Sequence, residues 1–232
     1  MKIGIITCNY RRPKILELWA ASIQRIRKDL GIELPAVCVS DVDDKRACES
    51  HDIHHIRMNN LPVTDKWNRG MQYMRSIGAD YVIISGSDNI FSSDTIKRIS
   101  AEATKGYDVI GLNSIYFYAV DGEFKGKVCR LNYGNRLLGV GKTISKKVLD
   151  EIDWTPWGKK KNWGMDVLVT MSVRPHAKTY KALSNTVVFD CKSKQNLNKS
   201  TLWFGKLKAN IEGPEKLLAI MGEEEKQILK TL

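Results

Sequence analysis

Two carboxylates far apart in the chain, Asp88 and Asp166, stand where an α/β protein keeps the groups that do chemistry. Asp88 follows the apolar run Tyr81 to Ile84 and the small polar residues Ser85, Gly86 and Ser87. A short β-branched run of this kind reads as a strand buried on both faces. Ligands in open α/β sheets gather beyond the carboxyl ends of the strands, so Asp88 marks the place of a metal or phosphate. Asp166 comes after Asn162-Trp163-Gly164-Met165 at the start of an expected helix, where a carboxylate can serve as a general base toward a hydroxyl.

Other polar groups belong to the same edge. Thr7, Cys8, Asn9, Tyr10, Arg11, Arg12 and Pro13 join a first strand to a helix start. Free backbone N–H groups there, beside two guanidiniums, suit a diphosphate. The segment lacks the glycines of GxGxxG, which disfavours an ordinary dinucleotide fold. Asp41 to Asp44 close a second strand, placed to accept hydrogen bonds from a base or ribose, and Lys192 offers a further cation to a leaving diphosphate.

These groups need a scaffold, and the hydrophobic pattern supplies one. Strands are expected over 3–7, 36–40, 54–58 and 81–84. Helices are expected from Pro13 to the stop at Gly31, from Thr64 or Asp65 to Gly78, and over 93–104. Strand–helix alternation of this kind signals a parallel, doubly wound sheet. Beyond Gly106 the rhythm turns to strands over 107–112, 115–120 and 186–190, short helices over 145–152 and 166–173, and one last helix from Pro214 to Leu232. The expected organisation is one α/β unit over 1–190, with its first half at 1–106 and its second at 107–190. A basic linker and C-terminal helices follow over 191–232.

The 232 residues carry 37 Lys and Arg against 26 acids, a formal charge of +11, which favours a polyanionic partner or surface. Five widely spaced cysteines argue for a reducing cytosol, and the N-terminal segment is too short for a secretory signal. No window has the length of apolar sequence needed to cross a bilayer, so a cytoplasmic protein without integral membrane association is expected. Cys48, His51, His54 and His55 are metal-ligand types but match no complete tetrahedral spacing. Glu223, Glu224 and Glu225 read as a solvated helix face. Trp154, Trp157 and Trp163 surround Lys159, Lys160 and Lys161, and Lys199, Trp203, Phe204, Lys206 and Lys208 form a second basic-aromatic set. Interleaving of this sort can follow a phosphate backbone while stacking on bases or sugar faces.

Over residues 1–190 the order of elements resembles the GT-A glycosyltransferases, in particular the family 2-like group. Thr7 to Pro13 looks like the opening nucleotide-binding strand end, Asp41 like the acid that meets the nucleobase, and Ala79 to Phe91 like the strand carrying the DXD metal motif. Leu137 to Leu149, with Gly139 and Gly141, resembles the acceptor-side strand and helix, and Gly164-Met165-Asp166 the segment supplying the base of inverting members. The resemblance implies a nucleoside-diphosphate sugar donor, foremost a UDP-sugar, and Mg²⁺ or Mn²⁺ held by Asp88. It implies donor contacts from Thr7, Asn9, Arg11, Arg12, Asp41, Lys66, Asn68, Arg69, Ser87, Asp88 and Lys192. On the acceptor side it implies Gly139, Gly141, Trp157, Lys159, Lys160, Lys161 and Trp163, with Asp166 as base. One departure stands out: Gly86 occupies the place of the first DXD acid.

In size and charge the chain is similar to small viral glycosyltransferases that modify hydroxymethylated pyrimidines in DNA, which makes DNA the expected acceptor. A polysaccharide or lipid-linked glycan is the alternative. Two other classes compete: a sugar-nucleotide nucleotidyltransferase, which would want a glycine-rich phosphate loop, and a non-catalytic nucleic-acid-binding module, which would leave Asp88 and Asp166 without a task.

Overall fold

The computed structural model describes residues 1–42, 44–134, 136–158, 161–193, 204 and 211–232. β1 (Ile3–Asn9) leads to α1 (Pro13–Leu30), where Pro13 occupies the first turn and Gly31, at φ 61°, closes the C-terminus by donating to the Arg27 carbonyl. There follow β2 (Ala36–Ser40), α2 (Lys45–Glu49), β3 (His54–Arg57), α3 (Val63–Ser76), β4 (Tyr81–Ile84), β5 (Asn89–Phe91) and α4 (Ser93–Thr104). The Ser92 hydroxyl caps α4 by accepting from the Thr95 N–H. The second half runs β6 (Val109–Leu112), β7 (Ser114–Ala119), β8 (Val128–Asn132), β9 (Thr143–Ser145), α5 (Lys146–Glu151), α6 (Met165–Val173), β10 (Tyr180–Leu183) and β11 (Val188–Lys192). It closes with β12 (Ile211–Glu212), α7 (Glu215–Ile220) and α8 (Glu223–Lys230).

A seven-stranded sheet has the order β10-β6-β9-β4-β1-β2-β3, with β9 alone running against its neighbours among the described strands. Its side chains divide by alternation. Ile5, Tyr81 and Ile83 join the core under α1 and α4, whereas Ile6, Val82 and Ile84 join the core under α3, α5 and α6. Helices therefore cover both faces of a mostly parallel sheet, the GT-A arrangement. A second sheet, β12-β8-β7-β11-β5, abuts it, and the chain passes from the large sheet into the second after β4, after β6 and after β10. The turn Ser85–Asp88 is one of these crossings. The buried Trp19 of α1 donates its indole N–H to Ser85 Oγ at 2.9 Å and fixes that turn from below.

The expected single C-terminal helix is two helices. Met221 is extended and Gly222 restarts the chain, with its N–H donating to the Glu225 carboxylate at 2.7 Å. Glu225 is not solvated as the acid run suggested: it is 1% exposed and pairs with Arg25 of α1 at 2.7 Å. Arg25 also donates to Ser93 Oγ and the Phe91 carbonyl, so the terminal helix, α1 and the β5–α4 junction share one guanidinium. The boundary drawn at residues 190 and 191 falls inside β11.

Candidate active site

At the carboxyl edge of the large sheet, a cleft of about 250 Å³ is walled by Trp67, Gly86, Asp88, Phe117, Tyr133, Gly139, Asp166, Asp190 and Lys192, among others. Asp88 and Asp166 thus look into one hollow, one from the sheet crossing and the other from the first turn of α6. Asp166 does not cap its own helix: the N-cap is Gly164, which has no side chain to offer. Its position in the first turn places a carboxylate where the helix dipole favours negative charge. Gly139 lies directly against the Asp166 carboxylate, so that a Cβ at 139 would overlap it. From the other side Lys142, 4% exposed, donates to Thr170 Oγ1 at 2.6 Å, and that hydroxyl donates to the Asp166 carbonyl. Burial lowers the Lys142 pKa while the Asp166 charge opposes the shift.

The half of the cleft around Asp88 is a network of alternating charges. Arg12 donates through Nη1 to Asp88 Oδ2 at 2.8 Å and through Nη2 to Ser87 Oγ at 2.9 Å. Asp190 of β11 sits opposite Asn89 of β5, and its Oδ2 pairs with Lys192 Nζ at 2.7 Å. Burial, reinforced by the nearby Asp88 charge, pushes the Asp190 carboxyl up to about 7. Burial works against the Lys192 ammonium, but Asp190 and Asp88 outweigh it and hold the pKa above its ordinary value. Asp190 Oδ1 is buried and, among the described residues, has no hydrogen-bond partner. A Cβ at Gly86 would lie 2.5 Å from Asp88 Oδ1 and 2.9 Å from Asn89 Oδ1, so an acid at the position where DXD has its first would have to push these two side chains aside.

The remaining nominated residues divide. Arg11, at φ 50°, is largely exposed and stands 3.8 Å from Asp41, whose Oδ1 is buried without a partner among the described residues. Thr7 is a fully buried strand residue. Asn9 braces the edge by donating to Asp44 Oδ2 at 2.8 Å and accepting from Ser87 Oγ at 3.2 Å. Lys66 does not reach the cleft. It is 1% exposed, with its ammonium spent on the Asn9 carbonyl and Asn60 Oδ1, and burial lowers its pKa. Asn68 is held by the Trp157 backbone through two hydrogen bonds, and Arg69 lies close enough to His54 of β3 for its charge to act there.

On the acceptor side Trp157 is a correction. It is 1% exposed, stacks at a tilt on Trp67 at 5.3 Å and donates its indole N–H to the Met165 carbonyl, so it anchors the loop and has no free face. Trp67 is half-buried, packs against the core under α3 and walls the cleft. Gly141, at φ 70°, packs inward on Leu112. Trp163 is 72% exposed with Lys161 Nζ 5.0 Å above its ring. Lys159 and Lys160 lie outside the described residues, as does the second basic-aromatic set apart from Phe204, which is buried and stacks on Phe124. A broader groove of about 980 Å³ adjoins the cleft at Gly139 and Asp166, lined by Arg136, Lys142, Val167, Met171, Arg174 and Tyr180 among others. Each histidine near residue 50 has another occupation, His51 meeting Glu224, His54 stacking on Tyr73 and His55 bonding Ser40, and Cys48 is buried.

Solved structures with a similar fold include a fragment of TarS from S. aureus, residues 1-349, at 18% identity and TM-score 0.60. The match covers 99% of this chain and 69% of that one. The longer TarS structure matches at 18% identity and TM-score 0.56, with 99% of this chain covering 42% of it. The bifunctional IspDF of Campylobacter jejuni matches at 11% identity and TM-score 0.50 over 80% of this chain and 50% of its own. No protein-family model matches the sequence, and no curated protein matches it.

Proposed function

We propose that this chain is a glycosyltransferase that moves a sugar from a nucleoside diphosphate to an acceptor hydroxyl, with inversion at the anomeric carbon. The observation that carries the reading is the meeting of Asp88 and Asp166 in one cleft at the carboxyl edge of a GT-A sheet. The fold neighbour TarS is a GT-A glycosyltransferase, which supports the same reading. Asp41 and Arg11 would meet the nucleoside, and Arg12 and Lys192 would stand beside the diphosphate. Asp166 would accept the hydroxyl proton as the acceptor oxygen bonds to the anomeric carbon. The bond to the diphosphate oxygen then breaks, and its electron pair leaves with the nucleotide. A single displacement with one base inverts the configuration.

Mg²⁺ or Mn²⁺ fits the cleft's chemistry, because hard carboxylate oxygens are on offer and one of them is buried without a partner among the described residues. Held by Asp88, such an ion would neutralise charge building on the leaving diphosphate.

For the acceptor we propose a polyanion, with hydroxymethylpyrimidine DNA as the first case. Its support is the +11 charge and the placement of Arg136, Lys142 and Arg174 around the groove that reaches Asp166. A lipid-linked glycan is the second reading, favoured by Val167 and Met171, which are 60% and 68% exposed on α6. The test is a panel of UDP-, GDP- and CMP-sugars with Mg²⁺ or Mn²⁺, with and without each acceptor. Expected is nucleotide release that the right acceptor accelerates. No turnover of any donor, combined with tight salt-sensitive DNA binding, would instead make the chain a binding module.

A further inference from the structure

The turn that resembles a DXD motif has Gly86 where that motif has its first acid, and a side chain there would have to displace the Asp88 and Asn89 side-chain oxygens. The missing carboxylate has a replacement from a distant part of the chain. We propose that Asp190 is the second protein ligand of the divalent cation, paired with Asp88 across the β5–β11 ladder; this rests on the nucleotide-sugar reading above. The two acids are neighbours by construction. Asn89 and Asp190 are register partners, the Cys191 N–H donates to the Asp88 carbonyl at 2.8 Å, and both carboxylates wall the same cleft.

Each acid is already oriented by a cation, Asp88 Oδ2 by Arg12 and Asp190 Oδ2 by Lys192. Ligand carboxylates are commonly fixed by such hydrogen bonds, which leave the other oxygen for the metal. Asp190 Oδ1 is that other oxygen, in a residue 9% exposed and without a hydrogen bond among the described residues. A buried carboxylate oxygen left unpaired next to a second carboxylate is costly unless a cation joins them. Among the described residues no three acid, histidine or cysteine side chains gather as a cage. Two carboxylates, water and donor phosphates are a sufficient set for Mg²⁺. The four charged side chains balance one another, so a divalent ion arriving with a diphosphate leaves the cleft near neutrality.

The experiment follows Mn²⁺ by electron paramagnetic resonance with saturating UDP, in the wild type, Asp88→Asn and Asp190→Asn, and measures UDP affinity without metal by calorimetry. Expected is at least a tenfold loss of Mn²⁺ affinity in both variants, while metal-free UDP binding is retained or strengthened as Arg12 or Lys192 is released. Crystals of the wild type grown with Mn²⁺ and UDP give a reading that no variant's folding can disturb: anomalous scattering should place the ion about 2.0–2.6 Å from both carboxylates. Mn²⁺ bound by Asp190→Asn as by the wild type, or an ion on Asp88 with Asp190 out of reach, overturns the assignment. Mn²⁺ seated on both acids with none of UDP, GDP and CMP bound would sustain it and overturn the nucleotide-sugar reading. UDP bound with no Mn²⁺ would do the reverse.

Discussion

Gly139→Ala should separate donor chemistry from acceptor activation. Gly139 lies outside the left-handed region of φ, so alanine meets no backbone strain there. The added methyl is the whole perturbation. It would overlap Asp166 Oδ1 and Cγ and lie 2.6 Å from Oδ2, where ordinary contact begins at 3.4 Å. Asp166 is exposed, so its carboxylate can retreat by roughly 1 Å or turn to another rotamer at a cost of about 0.5–1.5 kcal/mol to the fold. A displacement of about 1 Å at a reacting group costs on the order of 10² in rate, equivalent to roughly 2.7 kcal/mol of barrier. Single-turnover transfer should therefore fall about a hundredfold, while calorimetric affinity for the donor stays put. In an Asp166→Asn background the same alanine should add little further loss, because the two residues act as one unit. Transfer by Gly139→Ala at the wild-type rate, or an equal loss in both backgrounds, would refute the assignment of Asp166 as base.

Trp157→Ala should destabilise the fold by about 3–5 kcal/mol in urea unfolding, whereas Trp163→Ala should leave stability within about 0.5 kcal/mol and weaken acceptor binding instead. Glu225→Ala strands Arg25 in a buried setting and should cost roughly 3 kcal/mol, read as a lower urea midpoint at unchanged slope. Asp108 accepts from the Lys178 and Thr179 N–H groups and pairs with Lys147. Burial opposes its ionisation, and these partners overcome that and hold its pKa below the usual range. Its stabilisation is therefore complete above the ordinary carboxylate pKa and disappears as pH falls through the depressed folded value. Asp108→Asn should flatten that acid limb in pH-dependent unfolding, and an unaltered limb would count against it.

Much of the donor half was legible because its signals are local. Pro13 and Gly31 bracket α1, the β-branched run over 81–84 is β4, and α4 occupies Ser93–Thr104 as its cap predicts. What escaped depends on pairing. β5 has three residues and exists because β11 lies beside it, and β10, with exposed Tyr180, has little apolar alternation to show. Asp190 read only as the last residue of an apolar strand, since its neighbour Asp88 is brought to it by the ladder and not by spacing. Trp157 and Trp163 look alike in the sequence; which of them is buried is decided by Trp67 and the Met165 carbonyl, both outside their own loop segment. Lys66 was misplaced for a similar reason, because nothing local tells that two oxygens await its ammonium inside the fold.

The reversed strand β9 has an evolutionary corollary. Because it runs counter to β4 and β6, the loop preceding it, not the one following, arrives at the working edge of the sheet. Under the proposed function, the rim residues Tyr133, Leu138 and Gly139 thus belong to a stretch inserted between parallel strands, separate from the turn that carries Asp88; recoding that rim should alter the acceptor while the nucleotide's seat stays as it is, a modularity open to natural drift and to the protein engineer alike.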